Sequence, residues 1–201
     1  MSDVPTIRLG TSDLQVGPIS YGCWRFAHQD LVTAESLVST ALDAGWTLID
    51  TADIYGFDGE RGFGDAESLL GRVLARDPSL RDRMVLATKG GIRPGVPYDW
   101  SASYLRTACE DSLRRLGVDV IDLYQLHRPD VLTHPAEVAE VLTGLCDDGL
   151  VRHVGLSAAG AKTIRRVGVS GDGDELKISV EVPGDGPSCG QGPCRPVGAI
   201  D

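Results

Sequence analysis

The chain lacks an apolar run long enough to cross a membrane, and it has fewer basic than acidic residues. Its 29 aspartates and glutamates outweigh 19 lysines and arginines, which gives a formal net charge of −10. This balance argues against nucleic acid and anionic membranes as partners, because both repel a negative surface. An anionic cofactor is still compatible with it, since local dipoles and a few cations are enough to hold one.

The first residues contain neither the basic region nor the apolar stretch of a secretory signal, so we expect a cytoplasmic protein. The five cysteines are odd in number and scattered, which indicates reduced thiols rather than a disulfide framework. Cys189 and Cys194 lie close together, but no further cysteine or histidine pair accompanies them in the sequence. We therefore predict no metal site.

Short apolar runs alternate with longer amphipathic segments from about residue 18 to residue 157. The apolar runs end at Gly22, Asp50, Lys89, His127 and Ser157. The predicted helices between them span residues 33–44, 65–75, 101–116 and 135–147, and Ser101 is expected to cap the third. Ahead of them, residues 6–9 and 14–16 predict a small hairpin. Strands that alternate with helices in this way favour βαβ crossovers and a mainly parallel sheet.

The composition changes after residue 157, because residues 158–201 hold nine glycines, four prolines and no aromatic residue. Residues 162–169 predict a weak helix, and residues 176–182 alternate as a strand with one wet face does. From Pro183 onward the composition is typical of a disordered tail. We therefore expect an ordered domain over residues 1–158 and a poorly ordered tail over residues 159–201.

Titratable groups stand at the ends of three successive predicted strands. Asp50, Lys89 and His127 close their runs, and Tyr55 follows Asp50 by one loop turn. Taken singly, each has an ordinary structural explanation, as a helix cap, a packing residue or a solvated charge. Because the carboxyl ends of parallel strands share one edge of a sheet, we expect all four to gather where parallel α/β enzymes place their chemistry.

These four side chains suit the reduction of a carbonyl group. A tyrosine hydroxyl, whose pKa is about 10 in water, is a weak acid at neutral pH. A neighbouring ammonium such as Lys89 favours the phenolate and lowers that pKa, which makes Tyr55 a candidate general acid. Asp50 would pair with Lys89, and His127 would donate to, or orient, the substrate oxygen. The hydride must come from a cofactor, because no side chain supplies one.

Several segments, in order, resemble the aldo-keto reductase family. Residues 50–56 read DTADIYG, in which the aspartate and the tyrosine are five residues apart as in the family signature. The further matching segments are LGTSDL at 9–14, GCW at 22–24, AESLLG at 66–71, ATKGG at 87–91, DLYQLHRPD at 122–130 and GLVRHVGLS at 149–157. The resemblance covers roughly residues 6–158.

The resemblance implies an α/β fold of the (β/α)8 TIM-barrel type with a hairpin at its base, here incomplete at about five βα units. It implies reduction of small aldehydes or ketones by NADPH or NADH, and we expect NADP(H) rather than NAD(H). The implied catalytic residues are Tyr55 as acid with Lys89, Asp50 and His127 in support. The implied cofactor contacts are Gly22, Cys23, Trp24, Asp50 and Ser157, and the implied substrate contacts are Trp24, Tyr55 and His127.

The chain departs from the family in two places. Ala158 stands where the family has an asparagine that helps to hold the nicotinamide amide. The sixth to eighth strands are not recognisable, and 44 glycine-rich residues cannot supply three βα units. We therefore expect a truncated reductase whose residues 159–201 are non-homologous to the family. We also expect impaired activity, weak cofactor binding and sheet edges open to self-association. The alternatives are a non-catalytic half-barrel fragment serving binding or assembly, and a barrel enzyme of unrelated chemistry.

Overall fold

The computed structural model describes residues 4–10, 12–157, 168–172 and 175–179. The strands and helices, in chain order, are β1 (Ile7–Arg8), β2 (Gln15–Val16), β3 (Ser20–Gly22), α1 (Leu31–Asp43), β4 (Leu48–Asp50), α2 (Asp65–Arg76), a 3-10 helix (Pro78–Arg83), β5 (Val85–Gly90), α3 (Ala102–Leu116), β6 (Ile121–Leu126), α4 (Pro135–Asp147), β7 (Val151–Leu156), β8 (Gly168–Asp172) and β9 (Glu175–Ser179). The 3-10 helix and β8 were not predicted from the sequence.

A five-stranded parallel sheet, in the sequential order β3-β4-β5-β6-β7, forms the centre of the fold. A helix connects each strand to the next, as in consecutive units of a (β/α)8 barrel. The predicted α/β fold class is therefore confirmed. Among the described strands, β3 and β7 form the two edges of this sheet, and self-association through them stays a prediction.

The helix boundaries follow from local capping chemistry. The carboxylate of Asp30 accepts hydrogen bonds from the main-chain N–H groups of Val32 and Thr33, both at 3.0 Å, and so begins α1. Pro135 occupies the first turn of α4, where its missing N–H is harmless. Gly117 ends α3 in the left-handed conformation with φ of 67°, which a glycine adopts without strain.

Ser101 occupies the predicted N-cap position of α3, but its hydroxyl does not cap the helix. The hydroxyl donates instead to Asp99 Oδ1, which is 2.6 Å away. The N–H of Ala102 at the start of α3 donates to Glu137 Oε1 of α4 at 3.1 Å. The predicted cap is therefore wrong, because a nearby carboxylate competes for the serine hydroxyl and a neighbouring helix supplies the acceptor.

Successive side chains along each strand point to opposite faces of the sheet. Leu123 of β6 packs with Leu14 and Val16 of the hairpin β1–β2, which closes the inner face at the amino ends of the strands. Tyr124 and Leu126 point to the opposite face and are buried in the larger core beneath the helices. Because Gln125 follows Leu123 by two positions, its side chain faces the interior at the carboxyl ends of the strands.

The described residues beyond β7 form a two-stranded antiparallel hairpin of β8 and β9. The helix predicted over residues 162–169 is wrong at its described end, where Gly168 and Val169 lie in β8; the rest lies outside the described residues. Glycine and β-branched residues disfavour a helix there. The strand predicted over 176–182 is present as β9 over its described part. The boundary at residue 158 and the tail beyond Pro183 stay predictions.

No helix among the described residues is long and apolar enough to cross a membrane.

A buried polar layer lies between the sheet and the helices. Glu67 of α2 is fully buried, and its carboxylate accepts from Thr88 Oγ1 at 2.5 Å and from Arg115 Nε at 2.7 Å. Asp53 is also fully buried, and neither of its carboxyl oxygens has a hydrogen-bond partner among the described residues. Burial and the nearby charge of Glu67 raise the pKa of Asp53 well above its usual range, against the opposing influence of Arg115.

Two helical glycines give a matched test of how closely α2 and α3 pack. A Cβ on Gly71 would lie 2.1 Å from the carbonyl oxygen of Arg115, whereas a Cβ on Gly144 would meet no atom within 4 Å. We expect Gly71→Ala to lower the free energy of unfolding by about 1–3 kcal/mol, because the helices must move apart. Gly144→Ala should raise it by up to about 1 kcal/mol through helix propensity. Urea unfolding measures both, and equal effects would contradict this packing.

The pH dependence of stability tests the state of Asp53. An unfolded aspartate ionises near a pKa of about 3.9, while burial keeps folded Asp53 protonated to higher pH. The wild-type chain should therefore lose stability relative to Asp53→Asn as the pH rises from that value through the folded pKa. Asp58 is a matched control for which the opposite pH dependence of stability is expected, since the N–H groups of Arg61 and Glu60 lower its pKa. Parallel pH–stability curves for the wild type and Asp53→Asn would contradict the assignment.

Candidate active site

Main-chain hydrogen bonds bring the ends of β4, β5 and β6 together with the loop that follows β4. The N–H of Asp53 donates to the carbonyl of Lys89 at 3.0 Å, which holds this loop against β5. The N–H of Tyr55 closes a turn onto the carbonyl of Ala52 at 3.1 Å. The N–H of His127 donates to the carbonyl of Gly90 at 2.9 Å. These bonds place Asp50, Tyr55, Lys89 and His127 at one edge of the sheet.

The ammonium group of Lys89 lies at the centre of this group of side chains. Its Nζ atom donates to Asp50 Oδ2 at 2.5 Å, to the carbonyl oxygen of Thr51 at 2.8 Å and to Tyr55 Oη at 3.1 Å. An ammonium has three N–H donors, so all of them are used. The residue is only 4% exposed. The ammonium is therefore fixed in position, and its charge is held directly against the tyrosine hydroxyl.

Asp50 is the acidic partner of this ammonium. Burial raises the pKa of Asp50, and the charge and hydrogen bond of Lys89 oppose that rise. Asp50 Oδ2 and Lys89 Nζ are 2.5 Å apart and form an ion pair. The carboxylate thus balances the lysine charge in a site that water reaches only in part.

His127 lies beside the tyrosine ring and is uncharged at neutral pH. The two ring centroids are 5.6 Å apart in an edge-to-face arrangement. Burial, followed by the positive charges of Lys89 and Arg128, lowers the pKa of His127 to about 4. Its buried Nδ1 has no hydrogen-bond partner within the part of the chain that the structure describes. A neutral imidazole has one N–H donor, which suits it to bind a carbonyl oxygen without carrying a charge.

The other predicted site residues lie around this group of side chains and differ in how exposed they are. Gly22 pairs in register with Asp50, and a Cβ on it would meet no atom within 4 Å. Trp24 is 69% exposed, and its ring centroid is 5.6 Å from that of Tyr55. Ser157 continues the ladder of β7, with its N–H donating to the carbonyl of Leu126 at 2.9 Å.

Cys23 differs from these residues, because its side chain is fully buried in the hydrophobic core. Burial raises the pKa of the thiol, which keeps it protonated at neutral pH. Its main-chain N–H donates to the carbonyl of Asp50 at 2.8 Å. The side chain is therefore shielded from any ligand in this structure, and the main-chain carbonyl at this position accepts from the N–H of Phe26 at 3.1 Å.

Two contributions to the site were not predicted from the sequence. The carbonyl of Thr51 accepts one of the three lysine hydrogen bonds, and a main-chain group leaves no mark in a sequence. Gln125 is in register with Lys89 on one side and with Gly155 on the other. Its buried Oε1 has no partner among the described residues. A polar residue two positions before His127, on the same face of the strand, was the available signal.

This arrangement can protonate an oxygen atom that gains negative charge. Tyr55 carries the transferable proton, and the neighbouring ammonium stabilises the phenolate left behind. The imidazole of His127 can donate a second hydrogen bond to the same oxygen. A carbonyl group attacked at carbon by a hydride develops this charge on its oxygen.

Comparison with known proteins agrees with this geometry. The sequence pattern of the Aldo/keto reductase family matches residues 18–183. The chain is 58% identical over 163 residues to a 6-dehydroglucose reductase from Novosphingobium aromaticivorans, which covers 78% of this chain and 54% of that protein. The chain therefore spans about half the length of that relative.

Solved structures of two further proteins are similar to this chain. An aldo-keto reductase from Bacillus halodurans, in its holo form, superposes with a TM-score of 0.67 at 34% identity, over 77% of this chain and 50% of that chain. A glycerol dehydrogenase from Gluconobacter oxydans superposes with a TM-score of 0.68 at 33% identity, over 79% and 50% respectively. The match to the family pattern covers most of the chain. The chain belongs to the aldo/keto reductase family.

Proposed function

We propose that the protein is an NAD(P)H-dependent oxidoreductase of impaired activity that reduces the carbonyl group of an aldehyde or ketone to an alcohol. The observation that carries this proposal is the ammonium of Lys89, which bonds to both Asp50 and Tyr55 in a buried position. A lysine bound only to Asp50 would be a structural ion pair. Contact with a half-buried tyrosine hydroxyl at the edge of the sheet gives it a catalytic use.

In this mechanism Tyr55 transfers its hydroxyl proton to the carbonyl oxygen as negative charge develops there. Lys89 Nζ, 3.1 Å from Tyr55 Oη, stabilises the resulting phenolate, and Asp50 holds the ammonium in place. The neutral imidazole of His127 donates a hydrogen bond to the carbonyl oxygen and orients it. Because the ammonium is already positioned, little reorganisation accompanies the proton transfer.

The residues at the edge of the sheet fit a nicotinamide cofactor, which supplies the hydride when bound. The main chain at Gly22 is open, since a Cβ there would meet no atom within 4 Å. The orphaned amide oxygen of Gln125 offers an acceptor on the face that carries Lys89. We assign cofactor contacts to Gly22, to the main chain of Cys23, and to Trp24, Asp50 and Ser157. We expect NADP(H) in preference to NAD(H).

We further propose a sugar-derived aldehyde as the substrate class. The relative that is 58% identical is named for a reductase of 6-dehydroglucose. The exposed indole of Trp24, beside Tyr55, offers a flat apolar surface on which the C–H face of a sugar ring can pack. The carbonyl group of such a substrate would then reach Tyr55 and His127.

Replacing Tyr55 with phenylalanine tests the proposed acid. Tyr55→Phe should lower kcat for NADPH-dependent reduction by about 10²–10⁴-fold, because the proton donor is lost. Cofactor affinity, measured by quenching of tryptophan fluorescence, should change little. Tyr104→Phe is the matched control, since Tyr104 Oη donates to the carbonyl of Ile92 at 3.1 Å and takes no part in the mechanism.

Retained turnover in Tyr55→Phe would remove Tyr55 from its assigned role. Absence of both NADPH quenching and turnover in the unsubstituted chain would contradict the proposal. That outcome would favour the non-catalytic binding module instead. Titration with NADPH and NADH under the same conditions tests the expected cofactor preference, and tighter binding of NADH would contradict it.

A further inference from the structure

The carboxylate of Asp130 joins two loops at the edge of the sheet that carries the candidate active site. Its Oδ2 accepts from the main-chain N–H of Trp100 at 3.0 Å and from Thr133 Oγ1 at 2.6 Å. Its Oδ1 accepts from the N–H of Leu132 at 2.8 Å. Trp100 belongs to the loop before α3, whereas Asp130 belongs to the loop between β6 and α4. One side chain therefore ties the segment that follows His127 to the loop that follows β5.

The indole of Trp100 extends this connection towards His127. Trp100 is buried in the main hydrophobic core. A Cβ on Gly91 would lie 2.7 Å from the indole Nε1 and 3.9 Å from the main-chain nitrogen of His127. The indole thus fills the space beside the end of β5 that a side chain at Gly91 would take. A shift of Trp100 would therefore change the packing at Gly91, next to Gly90, whose carbonyl accepts the main-chain hydrogen bond of His127.

The His127 ring is held by packing, since the residue is only 7% exposed. The buried Nδ1 has no hydrogen-bond partner among the described residues. The main-chain bond to Gly90 and the edge contact with Tyr55 locate the residue, but neither bonds to a ring nitrogen. The orientation of the imidazole therefore depends on this packing and on the path of the main chain as it leaves β6. Asp130 fixes that path three residues further on.

We propose that Asp130 is a positioning residue for His127, acting through its hydrogen bond to Trp100. It holds the loop after β6 so that the imidazole stays packed against Tyr55 and faces the reacting oxygen. This inference rests on the role given to His127 under the proposed function. The alternative is a purely local role, in which Asp130 only orders its own turn with Leu132 and Thr133.

Asp99 supplies the matched control. It lies in the same loop as Trp100, and its carboxylate also accepts three hydrogen bonds, from the N–H and the hydroxyl of Ser101 and from Arg93. None of these reaches the loop between β6 and α4. Asp99→Asn therefore weakens local hydrogen bonds and the ion pair with Arg93, whereas only Asp130→Asn weakens the connection to His127.

The first readout is the NMR titration of the His127 imidazole in the full chain, which reports on its surroundings without cofactor or turnover. The groups around it are Lys89, Arg128 and Tyr55, and the unsubstituted chain should titrate at a pKa of about 4. In Asp130→Asn we expect the pKa to rise towards its ordinary value of 6.5, because a loosened ring is better hydrated. Loss of the Asp130 charge alone would lower the pKa of His127. The direction of the pKa change therefore distinguishes a loosened ring from the loss of charge. Asp99→Asn should leave it unchanged.

The second readout is steady-state kinetics. Asp130→Asn should lower kcat by about 10- to 100-fold with little change in the KM for cofactor, since a misplaced group affects the transition state. Thr133→Val removes one of the three donors and should shift the histidine titration less, in the same direction, which keeps the test available if Asp130→Asn does not fold. An unchanged His127 titration in both folded variants would overturn the proposal. It would do so even if the reductase activity itself were confirmed.

Discussion

The hydrogen-bonded ammonium of Lys89 is the interaction on which the candidate active site depends. A buried charge is stable only when opposite charge and hydrogen bonds replace the water it has lost. Asp50 supplies the charge, and the carbonyl of Thr51 and the hydroxyl of Tyr55 supply the remaining acceptors. Meeting the needs of the lysine therefore also fixes the tyrosine. The requirement for stability and the requirement of the proposed proton transfer are met by the same three contacts.

The rest of the fold keeps this lysine in place from two sides. On the helix face, Glu67 binds Thr88, the residue that precedes Lys89, and Arg115 of α3 binds the same carboxylate. On the inner face, the hairpin covers the amino ends of the strands and leaves the carboxyl ends open. In a parallel sheet with one covered end and one open end, the polar side chains gather at the open end. The chemistry of the site thus follows from the layering of the fold.

Apolar runs that alternate with amphipathic segments predicted the five parallel strands. Titratable residues at the ends of three runs, or just after one, indicated Asp50, Lys89, His127 and Tyr55. It did not predict pairings between residues far apart in the chain, such as Glu67 with Thr88 or Asp130 with Trp100. Periodicity reports which face of an element is buried and carries no information about which distant side chain lies opposite. The cap expected from Ser101 was wrong because Asp99 competes for its hydroxyl.

The central claim is that the phenol of Tyr55, the ammonium of Lys89 and the imidazole of His127 lie together in one active site. A crystal structure of the 201-residue chain at neutral pH tests it most directly. We predict Lys89 Nζ within hydrogen-bonding distance of both Asp50 and Tyr55 Oη, with the His127 ring edge-on to the Tyr55 ring. A lysine turned away from Tyr55, or a His127 ring too distant to touch the same small molecule, would contradict the account.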